Sequence, residues 1–268
     1  MTSQDGANHG PGPEPIRGRL RRPRRSIYLL PSFFTVGNIF AGFFAVISTL
    51  HGNFENAAVA IGIAVVLDGL DGRIARMTGA TSDFGLQLDS LADVISFGIA
   101  PAVLIYSWGF GDLGNLARLS AFFFLICGTI RLARFNVQVQ DLKHFAGLPI
   151  PAGAGFIAAV VHLFKAAPQS IVAEYSLVAV TYCLGFLMVS TLRYPSPKQL
   201  HLGKGKSHLT VLLLALLVAG VIWYSEEVLM AVSTVYVLSG VTLRGYQMIR
   251  YRMRNDPEKL SASRAESD

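Results

Sequence analysis

The stretch SIYLLPSFFTVGNIFAGFFAVISTLHGNF, which runs from Ser26 to Phe54, contains no charged residue. A helix needs about 20 mostly apolar residues to cross the hydrocarbon core of a bilayer, so this stretch is long enough for one crossing. The rest of the chain is similar, because 52% of its 268 residues are apolar and only 15% are charged. A soluble domain has roughly 25% charged residues. The composition therefore favours an all-α integral membrane protein, and it excludes a disordered chain or a disulfide-stabilised miniature domain.

Seven further apolar segments follow, which predicts about eight transmembrane helices in total. They are approximately Asn56–Arg76, Phe84–Trp108, Leu116–Phe135, Ile150–Lys165, Val172–Leu192, Leu209–Tyr224 and Val228–Tyr246. We accordingly divide the chain into a basic N-terminal tail (1–25) that is expected to be disordered, a transmembrane domain (26–248) and a C-terminal tail (249–268). The N-terminal tail is rich in Gly and Pro and ends in a run of arginines.

The basic residues lie almost entirely on one side of this predicted topology. With eight spans both termini face the same side, and every one of the 23 Lys and Arg residues except Arg118 and Lys165 then falls on that side. Loops rich in Lys and Arg stay in the cytoplasm. We therefore expect a multi-pass protein of the cell (inner) membrane with both termini in the cytoplasm. The basic residues form no continuous patch, so a nucleic-acid partner is not expected.

Four aspartates interrupt the apolar pattern at the end of one predicted helix and the start of the next. Asp68 and Asp71 are three residues apart and share a helix face, as do Asp89 and Asp93, which are four apart. The connection Met77–Asp83 is short, so the two helices should be antiparallel neighbours. The four carboxylates are therefore expected to converge near the inner edge of the membrane, on the same side as the termini.

Such a cluster is costly, because each aspartate deep in a membrane helix costs roughly 2.5–3.5 kcal/mol. The cluster contains neither Lys nor His, and hard divalent cations are the simplest compensation for four carboxylates. Two of the acids alone would also fit a proton relay. The coupling-ion site of an ion-driven transporter is a further alternative, and it would require broken helices near the bilayer midplane.

The acids and the residues between them resemble the signature of the CDP-alcohol phosphotransferase family. The matching pattern is Asp68-x2-Asp71-Gly72-x2-Ala75-Arg76-x8-Gly85-x3-Asp89-x3-Asp93. The resemblance implies a six-helix membrane core, here followed by two C-terminal helices. It also implies transfer of a phosphatidyl group, usually from CDP-diacylglycerol, to an alcohol with release of CMP. The active site and the termini would share the cytoplasmic side.

Softer motifs resemble the phosphatidylserine synthase branch of that family. They are LPSFFTVGNIFAGF in the first helix, GLQLDSLADVISFGIAPA, RLARFN at Arg131–Asn136 and GLPIP at Gly147–Pro151. This branch implies L-serine as the acceptor. An acceptor with its own phosphate, such as glycerol 3-phosphate or inositol phosphate, is an open alternative and would require extra basic residues near the site.

The resemblance also implies roles for individual residues. Asp68, Asp71, Asp89 and Asp93 would hold two divalent cations, Mg or Mn, with Asp89 and Asp93 catalytic and Asp93 the general base. Residues that would border the nucleotide or its phosphate are Gly72, Ala75, Arg76 and Gly85. Thr35 and Asn38 would bind substrate or another helix. Residues expected to meet the serine carboxylate or the lipid phosphate are Arg131, Arg134 and Asn136, and the alternative for the two arginines is anchoring of the helix end on the cytoplasmic side. Membrane lipids and a second copy of the chain, in a homodimer, are the expected partners.

Overall fold

The computed structural model describes residues 29–78, 83–111, 113–138, 147–192, 194 and 224–254, and within these ranges it contains helices and no strands. The helices are α1 (Leu29–Leu50), α2 (Phe54–Thr78), α3 (Asp83–Asp93), α4 (Ala100–Gly109), α5 (Asn115–Gln138), α6 (Ile150–Phe164), α7 (Ile171–Val189) and α8 (Ser225–Arg254). A π-helical turn, Val94–Ile99, joins α3 to α4. The prediction of an all-α fold is confirmed.

In the described part of the chain, five helical segments are long and apolar enough to cross a membrane. They belong to α1, the continuous α3–α4 unit, α5, α7 and α8. Helix α6 has 15 residues and is apolar but shorter, and α2 carries the charged residues of the aspartate pattern. The described residues therefore support a membrane protein and contain five such spans, so the predicted number of eight is not confirmed. The predicted span Leu209–Tyr224 and the tail 1–25 lie outside the described residues, and α8 continues to Arg254, past the predicted start of the C-terminal tail.

Helices α1 and α2 form an antiparallel pair in which both helices bury alanines. Ala41 and Ala45 of α1 are buried, and so are Ala57, Ala60 and Ala64 of α2. Their spacing of three or four residues places them on one face of each helix. Small residues let membrane helices approach closely, because van der Waals packing replaces the hydrophobic effect inside lipid. This pair sets the position of the residues at the start of α1 relative to the aspartates at the end of α2.

Helix α1 also contacts the π-helical turn at very short range. A Cβ atom added to Gly42 would lie 2.7 Å from the Cα atom of Ser96, so only glycine fits here. The hydroxyl of Ser96 donates a hydrogen bond to the backbone oxygen of Asn38, 2.8 Å away. The turn follows Asp93 directly, so these contacts hold that aspartate close to α1.

The start of α6 is attached to the end of α7 through the backbone of the GLPIP motif. Gly147 has a φ of +85°, and its N–H donates to the carbonyl of Leu192 at 2.8 Å. The N–H of Leu148 donates to the carbonyl of Leu187 at 2.9 Å. A Cβ atom at position 147 would overlap the backbone oxygen of Met188, so glycine is required for both its φ and its size.

Helix α8 packs against α6 and is attached near its start and near its middle. Tyr194, which follows α7, is buried, and its hydroxyl donates to the carbonyl of Val237 at 3.1 Å. At the other end of the bundle, the ammonium of Lys165 lies 2.7 Å from Glu226 and 3.8 Å from Glu55. These contacts connect α8 to α7, α6 and α2.

Candidate active site

Three of the predicted aspartates form one cluster. Asp68 comes from α2, and Asp89 and Asp93 come from α3. One carboxylate oxygen of each lies within 4.8 Å of the corresponding oxygens of the other two. Asp93 is buried, and Asp68 and Asp89 are partly buried. Three carboxylates at this distance repel one another unless protons or cations neutralise them. The cluster therefore has the arrangement of a cation site.

The fourth aspartate, Asp71, lies beside the cluster and has a partner of its own. Its side chain is buried, and it accepts a hydrogen bond from the hydroxyl of Thr35 on α1. It is also within electrostatic range of Asp89 and Asp93. All four predicted carboxylates therefore face one region, and α1 supplies a donor to it.

The donor atoms of the cluster suit a hard divalent cation such as Mg²⁺ or Mn²⁺. They are carboxylate oxygens, the ligands that such ions prefer. The Oδ1 atom of Asp93 is buried and has no hydrogen-bond partner among the described residues. Buried polar atoms nearly always have a partner, and Asp93 is the buried member of the cluster that Asp68 and Asp89 complete. The residues present therefore fit a bound cation.

Asn38 lies one turn after Thr35 on α1. Like Asp93, it has buried polar atoms without hydrogen-bond partners in the described part of the chain. It is 1% exposed, and neither the oxygen nor the nitrogen of its side-chain amide has a partner among the described residues. An amide can donate and accept at once, so this pair of atoms fits a ligand with both kinds of polar group. Its backbone oxygen accepts the hydrogen bond from Ser96, so Asn38 lies where α1 meets the π-helical turn that follows Asp93.

The three residues predicted for the acceptor or the lipid phosphate have different positions. Arg131 on α5 is mostly buried, lies within electrostatic range of Asp93 and Asp68, and has an Nε atom without a partner in the described part of the chain. Arg134 is exposed and donates to the carbonyl of Val189 at the end of α7, 3.2 Å away. Asn136 donates to the hydroxyl of Ser90 at 2.9 Å. Of the three, Arg131 is the one that faces the carboxylates.

The small residues of the signature lie along the same helices. Gly72 and Gly85 are partly buried, while the side chains of Ala75 and Arg76 lie outside the described residues. A Cβ atom at Gly69, next to Asp68, would have no heavy atom within 4 Å, so this position of α2 is open.

Tyr236 on α8 is a further polar side chain that no sequence motif marks. It lies within electrostatic range of Arg131 and packs against the ring of Tyr194. No local pattern marks it, because it is one aromatic residue within an apolar helix and its proximity to Arg131 arises only from packing.

Comparison with known proteins identifies the family of this chain. Residues 28–187 match the family model described as CDP-alcohol phosphatidyltransferase. A CDP-diacylglycerol–serine O-phosphatidyltransferase of Helicobacter pylori is 33% identical over 237 residues, which is 85% of this chain and 96% of that protein. Proteins of the same name from Methanocaldococcus jannaschii and Bacillus subtilis are 39% and 36% identical over 171 residues each. These alignments cover 64% and 63% of this chain, and 76% and 92% of the two relatives.

An all-helical membrane bundle with aspartates gathered between two neighbouring helices defines a class of intramembrane enzyme site. The match covers more than half of the chain and includes the complete aspartate pattern. The chain therefore belongs to the CDP-alcohol phosphatidyltransferase family.

Proposed function

We propose that this protein transfers the phosphatidyl group of CDP-diacylglycerol to the hydroxyl of L-serine and releases CMP. The observation that carries the proposal is the convergence of Asp68, Asp89 and Asp93 on one partly buried site in a member of this family. Serine is favoured as the acceptor because it appears in the names of relatives from two bacteria and an archaeon.

The four aspartates would hold two divalent cations, Mg or Mn. When bound, such ions offset the charge of the diphosphate and of the departing CMP. Asp68 and Asp71 come from one turn of α2, and Asp89 and Asp93 come from one turn of α3. Thr35 holds Asp71 in place by a hydrogen bond. Gly72, Ala75 and Gly85 would border the nucleotide, and Arg76 would neutralise its phosphate.

Asp93 is the proposed general base. Its Oδ1 atom would take the proton from the serine hydroxyl as that oxygen forms a bond to the phosphorus on the lipid side of the diphosphate. The bond from this phosphorus to the bridging oxygen breaks, and CMP leaves with the electron pair. The proposal is supported by the burial of Oδ1 and by its lack of a hydrogen-bond partner in the described part of the chain.

Polar groups around the carboxylates would orient the substrates. Asn38 offers an amide donor and acceptor from α1, and Arg131 offers a cation from α5 that can meet a carboxylate or phosphate. Arg134 and Asn136, which hydrogen-bond to Val189 and Ser90, stay candidates for the serine carboxylate or the lipid phosphate. The asymmetry of basic residues supports a cytoplasmic active site in the cell membrane, and a homodimer is the assembly that the family resemblance implies.

The test is an acceptor assay on purified protein in detergent with CDP-diacylglycerol and Mg²⁺ or Mn²⁺. We expect CMP release that depends on L-serine, with phosphatidylserine as the lipid product. Glycerol 3-phosphate and inositol phosphate are the competing acceptors. Product with either of these and none with serine would reject the serine assignment. Absence of CMP release with every acceptor would favour a non-enzymatic role, such as ion-coupled transport.

A further inference from the structure

Helix α1 makes a hydrogen bond with each of the two segments that carry the aspartates. Thr35 donates to Asp71 at the end of α2. One turn later on α1, the backbone oxygen of Asn38 accepts a hydrogen bond of 2.8 Å from the hydroxyl of Ser96. Ser96 is fully buried in the π-helical turn that follows Asp93. The same face of α1 therefore holds both aspartate pairs, one through Thr35 and the other through Ser96.

The contact between Ser96 and α1 depends on the shape of α1 as well as on the hydrogen bond. Asn38 and Gly42 are four residues apart, so they are neighbours on one helix face. A Cβ atom at Gly42 would overlap the Oγ atom of Ser96, so the missing side chain leaves the space through which this hydroxyl reaches the oxygen of Asn38. That oxygen also accepts the helical hydrogen bond from the N–H of Gly42. The hydroxyl of Ser96 is therefore a second donor, and no backbone group of α1 needs it for hydrogen bonding.

The π-helical turn sets the orientation of α3 relative to α4. Its hydrogen bonds span five residues instead of four, as in the bond from the N–H of Ala100 to the carbonyl of Ile95. A Cβ atom at Gly98 would lie 2.9 Å from a side-chain carbon of Leu125, so the far side of the turn packs tightly against α5. Single π-helical turns inside α-helices occur frequently at functional sites. Asp93 is the last residue before this turn, so whatever fixes the turn also fixes the direction of Asp93.

The aspartate cluster needs contacts between helices to stay together. One carboxylate oxygen of Asp93 lies within 4.8 Å of one from Asp68, and like charges at this distance repel each other. The two residues belong to different helices, so nothing in their local sequence keeps them close. The hydrogen bond of Ser96 to α1 lies one turn from Asp93, and it opposes movement of that aspartate away from the α1–α2 pair.

We propose that Ser96 is a positioning residue for the cation site, because its hydrogen bond to α1 holds the π-helical turn so that Asp93 can share a cation with Asp68. Ser96 touches neither the substrate nor the cation, and it acts through Asp93. The inference rests on the proposed function, because it concerns the same site.

The test is the Ser96→Ala variant, which removes only the hydroxyl. The carbonyl of Asn38 keeps its helical donor, so the Tm in detergent should stay near the parent value. The Kd for Mn²⁺, measured by electron paramagnetic resonance on substrate-free protein, should rise about threefold to tenfold, the range expected from one hydrogen bond between membrane helices. The kcat for CMP release should fall by a similar factor because Asp93 is misplaced, while the KM values for serine and CDP-diacylglycerol stay within about twofold.

Ser120→Ala is the matched control. Ser120 is also fully buried, but its hydroxyl donates to the carbonyl of Leu116 within its own helix, α5, at 2.7 Å. Both substitutions remove a buried hydroxyl that donates to a backbone carbonyl, so a general effect of this loss would appear in both variants. Only Ser96→Ala should change the Kd for Mn²⁺.

The outcomes separate the role of Ser96 from the proposed function. A Kd for Mn²⁺ that is unchanged in Ser96→Ala, or raised equally in Ser120→Ala, would overturn the role of Ser96. Loss of folded protein, or a lower Tm with unchanged metal affinity, would show that the hydrogen bond is only structural and would overturn the role as well. Parent protein that binds Mn²⁺ but releases no CMP with any acceptor would reject the proposed function, while the comparison of Kd values would still decide the role of Ser96.

Discussion

Thr35 on α1 donates a hydrogen bond to Asp71 on α2. The two residues are buried and come from helices that pack along each other through alanine. A hydrogen bond to a carboxylate fixes which oxygen is left for another partner and stabilises the charged form. Thr35 therefore acts on the cation site through Asp71, and it makes the start of α1 part of that site.

Replacing Thr35 with Val should reduce the rate of CMP release at limiting Mg²⁺ by about tenfold, as is typical when a residue that supports a metal ligand is removed. Val has nearly the same shape, so the fold should be retained. Thr35→Ser keeps the hydroxyl and should recover most of the activity. The measurement is the dependence of CMP release on Mg²⁺ and Mn²⁺ concentration.

Thr49→Val provides the matched control for this change. Thr49 is also buried on α1, but its hydroxyl donates to the carbonyl of Ala45 within the same helix, far from Asp71. Its substitution should leave the metal dependence unchanged. Equal metal dependence in Thr35→Val and Thr49→Val would show that the bond to Asp71 has no influence on the site.

Chelation should abolish CMP release, and Asp93→Asn should do the same without unfolding the protein. Asn has the shape of Asp but cannot take a proton or supply a negative charge to a cation. EDTA should therefore inactivate the parent protein, and added Mg²⁺ or Mn²⁺ should restore it, whereas no metal should restore the variant. Direct binding of Mn²⁺, measured by electron paramagnetic resonance, should be weaker in the variant.

Glu227→Gln is the corresponding control, because Glu227 is exposed near the start of α8 and undergoes the same chemical change. It should behave like the parent protein in both assays. Near-normal turnover of Asp93→Asn, or full activity in EDTA, would contradict a cation site built from these aspartates.

The part of the site that the sequence predicts is the part that local spacing determines. Asp68 and Asp71 share a face because they are three residues apart, and Asp89 and Asp93 because they are four apart. A short connection then brings the two pairs together, and the structure gathers three of the four within 4.8 Å. The apolar segments also predict the helices, because a segment that crosses a membrane must satisfy its backbone hydrogen bonds internally, as a helix does.

The contacts that the sequence does not predict depend on packing between distant segments. The bond from Thr35 to Asp71 and the proximity of Tyr236 to Arg131 require the relative rotation of whole helices. Arg134 shows the same limit: its position at a helix end is predictable, but its bond to the carbonyl of Val189 is not. The π-helical turn after Asp93 also has no counterpart in the apolar pattern.

Lys165 should contribute to stability in a way that depends on pH. Its ammonium bridges Glu226 and Glu55, and the hydrogen bond to Glu226 raises the pKa of Lys165 above its ordinary value of 10.5. A lysine whose pKa is raised by folding stabilises the protein fully below its unfolded pKa and loses that effect as pH rises through its folded pKa. Lys165→Met should therefore lower Tm slightly and equally from pH 6 to pH 9, with the difference disappearing as pH rises through the folded-state pKa of Lys165, which lies above 10.5. High salt should also reduce this difference in Tm, because the paired side chains are partly exposed to solvent and salt screens their attraction. A difference that grows with rising pH or with salt would contradict the ion-pair origin.

Substitution of Gly42 should damage both stability and activity. A Cβ atom there would lie 2.7 Å from the Cα atom of Ser96, and backbone atoms cannot move aside as a flexible side chain can. Gly42→Ala should therefore destabilise the protein by about 1–3 kcal/mol, the usual cost of overpacking, and should lower CMP release because the turn that follows Asp93 is displaced.

Gly62→Ala is the matched control on α2: its added Cβ would have no heavy atom within 4 Å, so Tm and activity should stay at or near the parent values. The measurements are Tm in detergent and the rate of CMP release for both variants. If Gly42→Ala matched Gly62→Ala in both, α1 could not approach the π-helical turn as closely as the structure shows, and the placement of Asp93 against α1 would be wrong.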